Sequence, residues 1–332
     1  MHRLIDPTVD WVAALRAGDR KSLARAITEV ENETPTGNAL IRAIHDHLGR
    51  AHIVGFTGPP GAGKSTLINA FAGELNRRGK RVGVVAVDPS SPISGGAILG
   101  DRVRMGEVGD FDDVFIRSLA SRGHVGGLSR TASRVVDLLD AAGMDYVILE
   151  TVGTGQSEIE VAGLALTKVV LFPPGAGDDV QTQKAGVLEI ADILAINKAD
   201  LPLADPAERQ LRQMLALRKA REWTPIIVRT IATRAQGIDA LHDAIAKHRE
   251  WLTQRGVSLR PMRLKAVLAQ VAGDVLKRRI ELMESPELER LCADLDAGEL
   301  DYGEAAERAL AIALAGSDAD ATGTRGRSVR AE

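Results

Sequence analysis

The densest chemistry in the chain lies in Gly58-Pro59-Pro60-Gly61-Ala62-Gly63-Lys64-Ser65-Thr66. The spacing is G-x-x-x-x-G-K-[ST], with the apolar run Ile53-Val54-Gly55-Phe56 before it and a helical pattern after it. Gly58, Gly61 and Gly63, with Ala62 between them, let backbone N–H groups turn inward and cradle phosphates. A helix opening near Lys64 aims its positive end at the same anion. Lys64 can neutralise β- and γ-phosphate oxygens, Ser65 can ligate Mg2+, and Thr66 completes the motif.

Acids follow several apolar runs. One run ends Val87-Asp88-Pro89, Asp101 follows Ile98-Leu99-Gly100, and Tyr146-Val147-Ile148-Leu149 ends in Glu150-Thr151-Val152-Gly153. Mg2+ takes one or two carboxylates beside phosphate oxygens and keeps several waters. A carboxylate at a strand end beside the phosphate loop is the Walker-B arrangement. Glu150 is the first choice for it, with Asp88 and Asp101 as partners. The backbone N–H of Gly153 is a candidate donor to the γ-phosphate. Further on, Ile196-Asn197-Lys198-Ala199-Asp200 carries N-K-x-D. The Asp200 carboxylate can accept from both N1–H and N2–H2 of guanine, a donor pair that adenine lacks. Asn197 can bond the acceptor edge of the base, and the Lys198 stem can lie along the ring. A final base loop falls at Thr230-Ile231-Ala232-Thr233, where the backbone at Ala232 would meet guanine O6.

These groups must be held by a sheet. Short apolar runs, rich in β-branched residues, recur at 53–56, 82–87, 114–116, 146–149, 169–172, 193–196 and 226–228, most of them separated by helical patterns. Runs apolar on both faces and alternating with helices predict an α/β fold with a buried, mostly parallel central sheet flanked by helices. In such folds the ligand sits at the carboxyl ends of the strands, where the acids and N-K-x-D fall. Residues 1–50 are expected to form a helical extension, with Asp19 as an N-cap and Leu23, Ala24, Ile27 and Val30 at helical spacing. The nucleotide domain spans 51–255 and a helical arm 256–315. Residues 316–332 lack large apolar side chains and are expected to be a disordered tail.

Composition excludes other classes. The chain has 332 residues, a formal net charge of −3 and 3% aromatic residues, which argues against a bulk nucleic-acid binder or a base-stacking platform. The single cysteine, Cys292, permits no disulfide within one chain and fits a reducing, cytoplasmic setting. No apolar stretch is long enough to span a membrane.

Three longer strings are distinctive. They are Asp88-Pro89-Ser90-Ser91-Pro92 with Gly95-Gly96-Ala97-Ile98-Leu99-Gly100-Asp101-Arg102-Val103-Arg104-Met105, Glu150-Thr151-Val152-Gly153-Thr154-Gly155-Gln156-Ser157-Glu158, and Pro174-Gly175-Ala176-Gly177-Asp178-Asp179-Val180-Gln181 with Lys184-Ala185-Gly186 behind it. Together with the phosphate loop, over about residues 10–255, they resemble the MeaB/ArgK-type P-loop GTPases, chaperones of adenosylcobalamin-dependent acyl-CoA mutases. The resemblance implies a homodimeric, Mg2+-dependent GTPase. It would bind GTP and GDP and gate cofactor loading, protection and reactivation of such a mutase, with no nucleic-acid or membrane partner. It assigns Lys64 and Ser65 to phosphate and Mg2+, Asp88, Asp101 and Glu150 to the metal and switch side, and Asn197, Lys198 and Asp200 to guanine. It places Gln156 in the second-switch region. Asp178 and Lys184 fall in a third switch that would couple mutase binding to hydrolysis.

Hydrolysis is expected to be slow in the isolated protein, because no well-placed base stands near Glu150-Thr151-Val152-Gly153. The sequence departs from the family pattern at Phe172-Pro173-Pro174, at the polar start Thr167-Lys168, and in the final base loop. A metal-insertion GTPase, a P-loop kinase and a nucleotide-stabilised scaffold are the competing readings. Scattered histidines speak against the first and N-K-x-D against the second.

Overall fold

The seven apolar runs form seven strands: β1 (His52–Thr57), β2 (Val82–Asp88), β3 (Val114–Ala120), β4 (Tyr146–Glu150), β5 (Thr167–Phe172), β6 (Ile193–Asn197) and β7 (Ile226–Thr230). They make one sheet in the order β3-β2-β4-β1-β5-β6-β7, parallel at every neighbouring pair. The computed structural model describes residues 7–88, 111–120, 125–151, 163–175, 189–217, 222–256 and 259–323. Every residue of β1, β4 and β6 is buried, which is why these strands read as unbroken apolar runs rather than alternating ones. The chain builds β2, β3 and β4 to one side of β1 and β5, β6 and β7 to the other. The carboxyl end of β1 therefore lies at the point where strand order reverses, the place where such sheets open a crevice for ligands.

Helices cover both faces. On one face α4 (Lys64–Arg77) and α7 (Ile238–Gln254) bury Leu67, Ile68, Phe71 and Leu241 against Val54, Phe56, Val84 and Ile148. On the other, α5 (Val125–Ala141) sets Val135, Val136 and Leu139 beneath Ile53, Val147 and Leu149. The extension α1 (Pro7–Arg16), α2 (Arg20–Glu31) and α3 (Pro35–Ala43) packs on that same core. The Asp19 carboxylate accepts from the backbone of Lys21 and Ser22 and so caps α2, whose Leu23, Ala26, Ile27 and Val30 are buried. Its hydrogen bonds to the Ser22 hydroxyl and to those two amides hold its carboxyl below the usual range. Pro35 occupies the first turn of α3, behind the Thr34 cap, where its missing N–H does no harm. A third cluster joins Val170 and Phe172 to Leu194, Ile196 and Leu211 of α6 (Ala204–Ala216), so Phe172 is a core residue at the point where the sequence departs from an aliphatic strand end.

Asp140 of α5 fastens the extension to the sheet. Its buried carboxylate accepts from the backbone N–H of Gly49, of Arg50 (3.0 Å) and of Ala51 (2.8 Å), the last residues before β1.

The polar start of β5 has an equally local cause. Thr167 is buried, with its hydroxyl 2.9 Å from His52 Nε2 and 2.8 Å from His248 Nδ1. His248 Nε2 lies 3.6 Å from Asp192 Oδ1, while Asp192 Oδ2 accepts from the Lys168 backbone N–H at 2.8 Å. One tautomer assignment satisfies the whole chain. His248 points Nε2–H at Asp192 and accepts from Thr167 at Nδ1, and Thr167 in turn accepts from His52 Nε2–H. Trp223 and Trp251 flank His248, with ring centroids 4.7 and 5.7 Å from it.

The contact pattern divides the chain into residues 1–267 and 268–332, with the division inside α8 (Leu259–Leu282). In the second unit α9 (Pro286–Asp296) opens on the Ser285 cap and pairs with α10 (Tyr302–Gly323). Leu291, Ala305 and Ala313 are buried there, whereas Leu268, Val275, Leu282, Tyr302 and Leu314 are exposed. The helix α10 runs on to Gly323, past residue 316 where the sequence predicted a structureless tail. Alanines recurring through 305–321 are strong helix formers and carry the helix over Gly316. Among the described residues no helix is long and apolar enough to cross a membrane.

Burial, then the positive charge of Arg249 and then His248, push the His52 pKa down to about 3. Burial also lowers that of His248, against the pull of Asp192 and with the help of Lys168. The unfolded chain therefore binds protons at these sites that the folded protein refuses. Stability from this source is complete above about pH 6.5 and falls as pH drops toward 3, by about 1.4 kcal/mol per pH unit for His52 alone. Urea unfolding between about pH 6 and pH 4 should show this slope, and His52→Gln should flatten it.

Candidate nucleotide-binding site

The loop between β1 and α4 is shaped by glycines for two separate reasons. Gly58, Gly61 and Gly63 have φ of 146°, 74° and 86°, which L side chains resist. Two of them also admit neighbours that a Cβ would strike. A Cβ on Gly58 would come 2.7 Å from the Leu171 carbonyl oxygen, and one on Gly63 would come 2.5 Å from Asn197 Nδ2. The loop is thus pressed over β5 and against the end of β6. Ala62 N donates to Pro59 O at 3.2 Å, and the helix opens at Lys64. Lys64 is buried, and its ammonium donates to the carbonyls of Gly58 (2.7 Å) and Pro59 (3.2 Å). Ser65 lies in the first turn of α4, and Thr66 beside it is exposed.

The metal side converges on one oxygen pair. Glu150 ends β4 in register with Phe56 of β1 and Ala86 of β2, which places its carboxylate beside the phosphate loop. The Ser65 hydroxyl donates to Glu150 Oε1 at 2.6 Å. Thr151 N and its hydroxyl both donate to Phe56 O, at 3.2 and 3.3 Å, fixing the strand end. A hydroxyl and a carboxylate oxygen that meet next to a phosphate cradle are hard donors suited to Mg2+. Among the described residues no group of three or more His, Cys, Asp or Glu side chains could hold a metal by itself. Such a pair suits an ion that draws its other ligands from phosphates and water. Asp88 closes β2 at the same edge of the sheet, and its side chain lies outside the described residues. Asp101, Gly153, Gln156, Asp178 and Lys184 also lie outside them.

On the base side Asn197 does more than its motif indicates. Its Nδ2 donates to Ala62 O at 2.9 Å, and its Oδ1 accepts from the Thr230 hydroxyl and from Ala232 N, each at 3.2 Å. One buried side chain therefore ties the phosphate loop, the end of β6 and the final base loop together. The motif led to Asn197 as a contact to the base; beyond that, its amide nitrogen and its carbonyl both make bonds within the protein. Lys198 adopts the left-handed conformation at φ 59°, and its ammonium donates to Gly61 O at 2.9 Å, laying its stem along the loop. Asp200 stays partly exposed at the mouth, within reach of Arg234. Sequence reasoning missed the part played by Thr230 and missed Arg234. The unusual Thr-Ile-Ala-Thr-Arg string was the available signal for both.

A parallel sheet with a glycine-rich phosphate loop at the carboxyl end of β1, a hydroxyl–carboxylate pair beside it and N-K-x-D two strands away defines a P-loop nucleotide-binding protein. The family model described as methylmalonyl-CoA mutase-associated GTPase MeaB matches residues 23–284, and the chain belongs to that family. The GTPase ArgK of Escherichia coli is 40% identical over 280 residues, covering 81% of this chain and 82% of that protein. The mouse (Mus musculus) protein named methylmalonic aciduria type A homolog, mitochondrial, is 36% identical over 258 residues, covering 72% of this chain and 62% of its own length. A solved structure titled LAO/AO transport system kinase superposes with a TM-score of 0.73 at 29% identity, covering 93% of this chain and 99% of that one.

If Asn197 is a strut, its loss must be felt before any ligand arrives. Asn197→Ala strands the Ala62 carbonyl, the Thr230 hydroxyl and the Ala232 N–H, and should destabilise the nucleotide-free protein by about 2–4 kcal/mol in urea unfolding. A side chain that served only to touch the base would leave that stability unchanged.

Proposed function

We propose that the protein hydrolyses GTP to GDP and phosphate and acts as a chaperone of an adenosylcobalamin-dependent acyl-CoA mutase, gating cobalamin loading, protection and reactivation. The observation that carries the reading is the meeting of Ser65 and Glu150 beside the phosphate loop, within a chain whose family is named for its association with methylmalonyl-CoA mutase. In this reading the backbone N–H groups of residues 58–66 and the Lys64 ammonium hold the triphosphate. The ammonium exchanges its contacts with Gly58 and Pro59 for phosphate oxygens. Ser65 and Glu150, with Asp88 and Asp101, hold Mg2+, which supplies charge neutralisation at the phosphates. Asp200 selects guanine through its N1–H and N2–H2 donors, Lys198 lies along the ring, and the Ala232 backbone borders O6. Water attacks the γ-phosphorus, the bond to the β-phosphate oxygen breaks, and the water protons leave with phosphate and solvent.

Phosphoryl transfer of this kind depends on positioning and charge neutralisation more than on a strong base. Turnover is therefore slow until a partner completes the site. The segment holding Asp178 and Lys184 is the proposed point of coupling, with Gln156 in the adjoining switch. The exposed Leu268, Val275, Leu282, Tyr302 and Leu314 of the second unit support a homodimer formed through the helical arm. The setting proposed is cytoplasmic, with neither nucleic acid nor membrane as partner, in keeping with a net charge of −3.

The test is turnover of GTP and ATP with Mg2+, by the protein alone and with purified methylmalonyl-, isobutyryl-, ethylmalonyl- and 2-hydroxyisobutyryl-CoA mutases. Slow hydrolysis of GTP alone, raised by one mutase and no longer raised in Lys184→Ala, is the expected result. GTP hydrolysis indifferent to every mutase would overturn the chaperone role. A preference for ATP would overturn the guanine assignment and favour a kinase.

A further inference from the structure

A cation stands beside the carboxylate that reads the base. Arg234 Nη2 lies 3.8 Å from Asp200 Oδ2. The turn that presents Arg234 is closed by Ile231 N to Gln236 O (3.0 Å), Gln236 N to Ile231 O (3.2 Å) and Arg234 N to Ile231 O (3.0 Å). Ala235 takes the left-handed conformation at φ 50°, and a Cβ on Gly237 would sit 2.0 Å from the Arg229 carbonyl oxygen. The backbone leading to Asp200 is tied to that same turn. Ala199 N donates to Thr230 O at 3.1 Å, and Ala232 N donates to Asn197 Oδ1. Cross-linked backbone thus holds the main chain at Arg234 close to the main chain at Asp200. Their side chains remain 63% and 38% exposed for Arg234 and Asp200, so the pair is free to open.

We propose that Arg234 is a specificity-determining residue that occupies Asp200 in the absence of a base and must be displaced when guanine binds. The inference rests on the guanine reading of Asp200 given above. Guanine presents two adjacent donors and engages both carboxylate oxygens. Hypoxanthine has N1–H but no amino group, takes one oxygen, and leaves Oδ2 to Arg234. Arg234 therefore opposes guanine more than hypoxanthine, lowers the affinity for GDP and favours its release. An exposed pair of this kind corresponds to about a two- to fivefold effect on a binding constant, and salt screens it.

The experiment measures equilibrium dissociation constants for GDP and IDP, in low and in high salt, for the full chain and for Arg234→Met, which keeps the stem and removes the charge. In low salt the variant should bind GDP about two- to fivefold more tightly and IDP nearly unchanged, with the difference closing in high salt. Equal or weaker GDP binding by Arg234→Met would overturn the proposal. Asp200→Asn, assayed with XDP because xanthine offers a carbonyl where guanine has its amino group, should make Arg234→Met silent. A tightening that persists there would show that Arg234 acts elsewhere, and would also overturn it. Asp200→Ala separates the two levels. If it leaves GDP binding intact, the guanine reading falls and the inference with it. If it abolishes GDP binding while Arg234→Met changes nothing, the inference alone falls.

Discussion

The nucleotide site depends on the phosphate loop leaning across one strand to touch the next. The loop leaves β1, whereas Asn197 ends β6, two strands away and so about 10 Å distant across the sheet. Contact is possible because Gly58 rides on the Leu171 backbone and Gly63 leaves room for the Asn197 amide. Once made, the bond from Asn197 to Ala62 O joins a loop that holds phosphate to a strand end that precedes the base-reading Asp200. Thr230 and Ala232 extend the tie to β7. Phosphate and base contacts are therefore parts of one braced structure, and the two flanking glycines are required by close approach as well as by backbone conformation.

The rest of the fold holds β1 steady beneath that brace. At its amino end His52 is bonded to Thr167 and, through it, to His248, while Asp140 receives the backbone that enters the strand. At its carboxyl end Thr151 is bonded to Phe56 O, and Glu150 reaches Ser65. Both faces are packed by α4, α5 and α7. The strand that delivers the phosphate loop is thus enclosed along its whole length, as a site built on fixed elements requires.

The strands were legible because strands of a buried parallel sheet carry apolar residues on both faces, and these runs are short and β-branched. The phosphate loop, Glu150 and the N-K-x-D string were legible because the spacing within one loop or at one strand end is local information. The histidine relay was not. His52 and Thr167 are 115 positions apart, and Thr167 and His248 are 81 apart. Only the strand order reveals that they meet, so Thr167-Lys168 looked like a flaw in a strand. Asn197 was found as a residue but its bracing role was not, since that depends on a crossing of loops that no local pattern encodes. Arg234 was passed over for the same reason. The reach of α10 to Gly323 was missed because small residues were read as disorder, where a run of alanines favours a helix.

The brace can be tested with a ligand that has phosphates and no base. Binding of Mg2+–tripolyphosphate should be measured calorimetrically for the protein and for Asn197→Ala. Weaker binding by the variant is the expected result, since the phosphate loop loses its hold on β6. Equal binding would contradict it, reducing Asn197 to a contact for the base and the two halves of the site to independent parts.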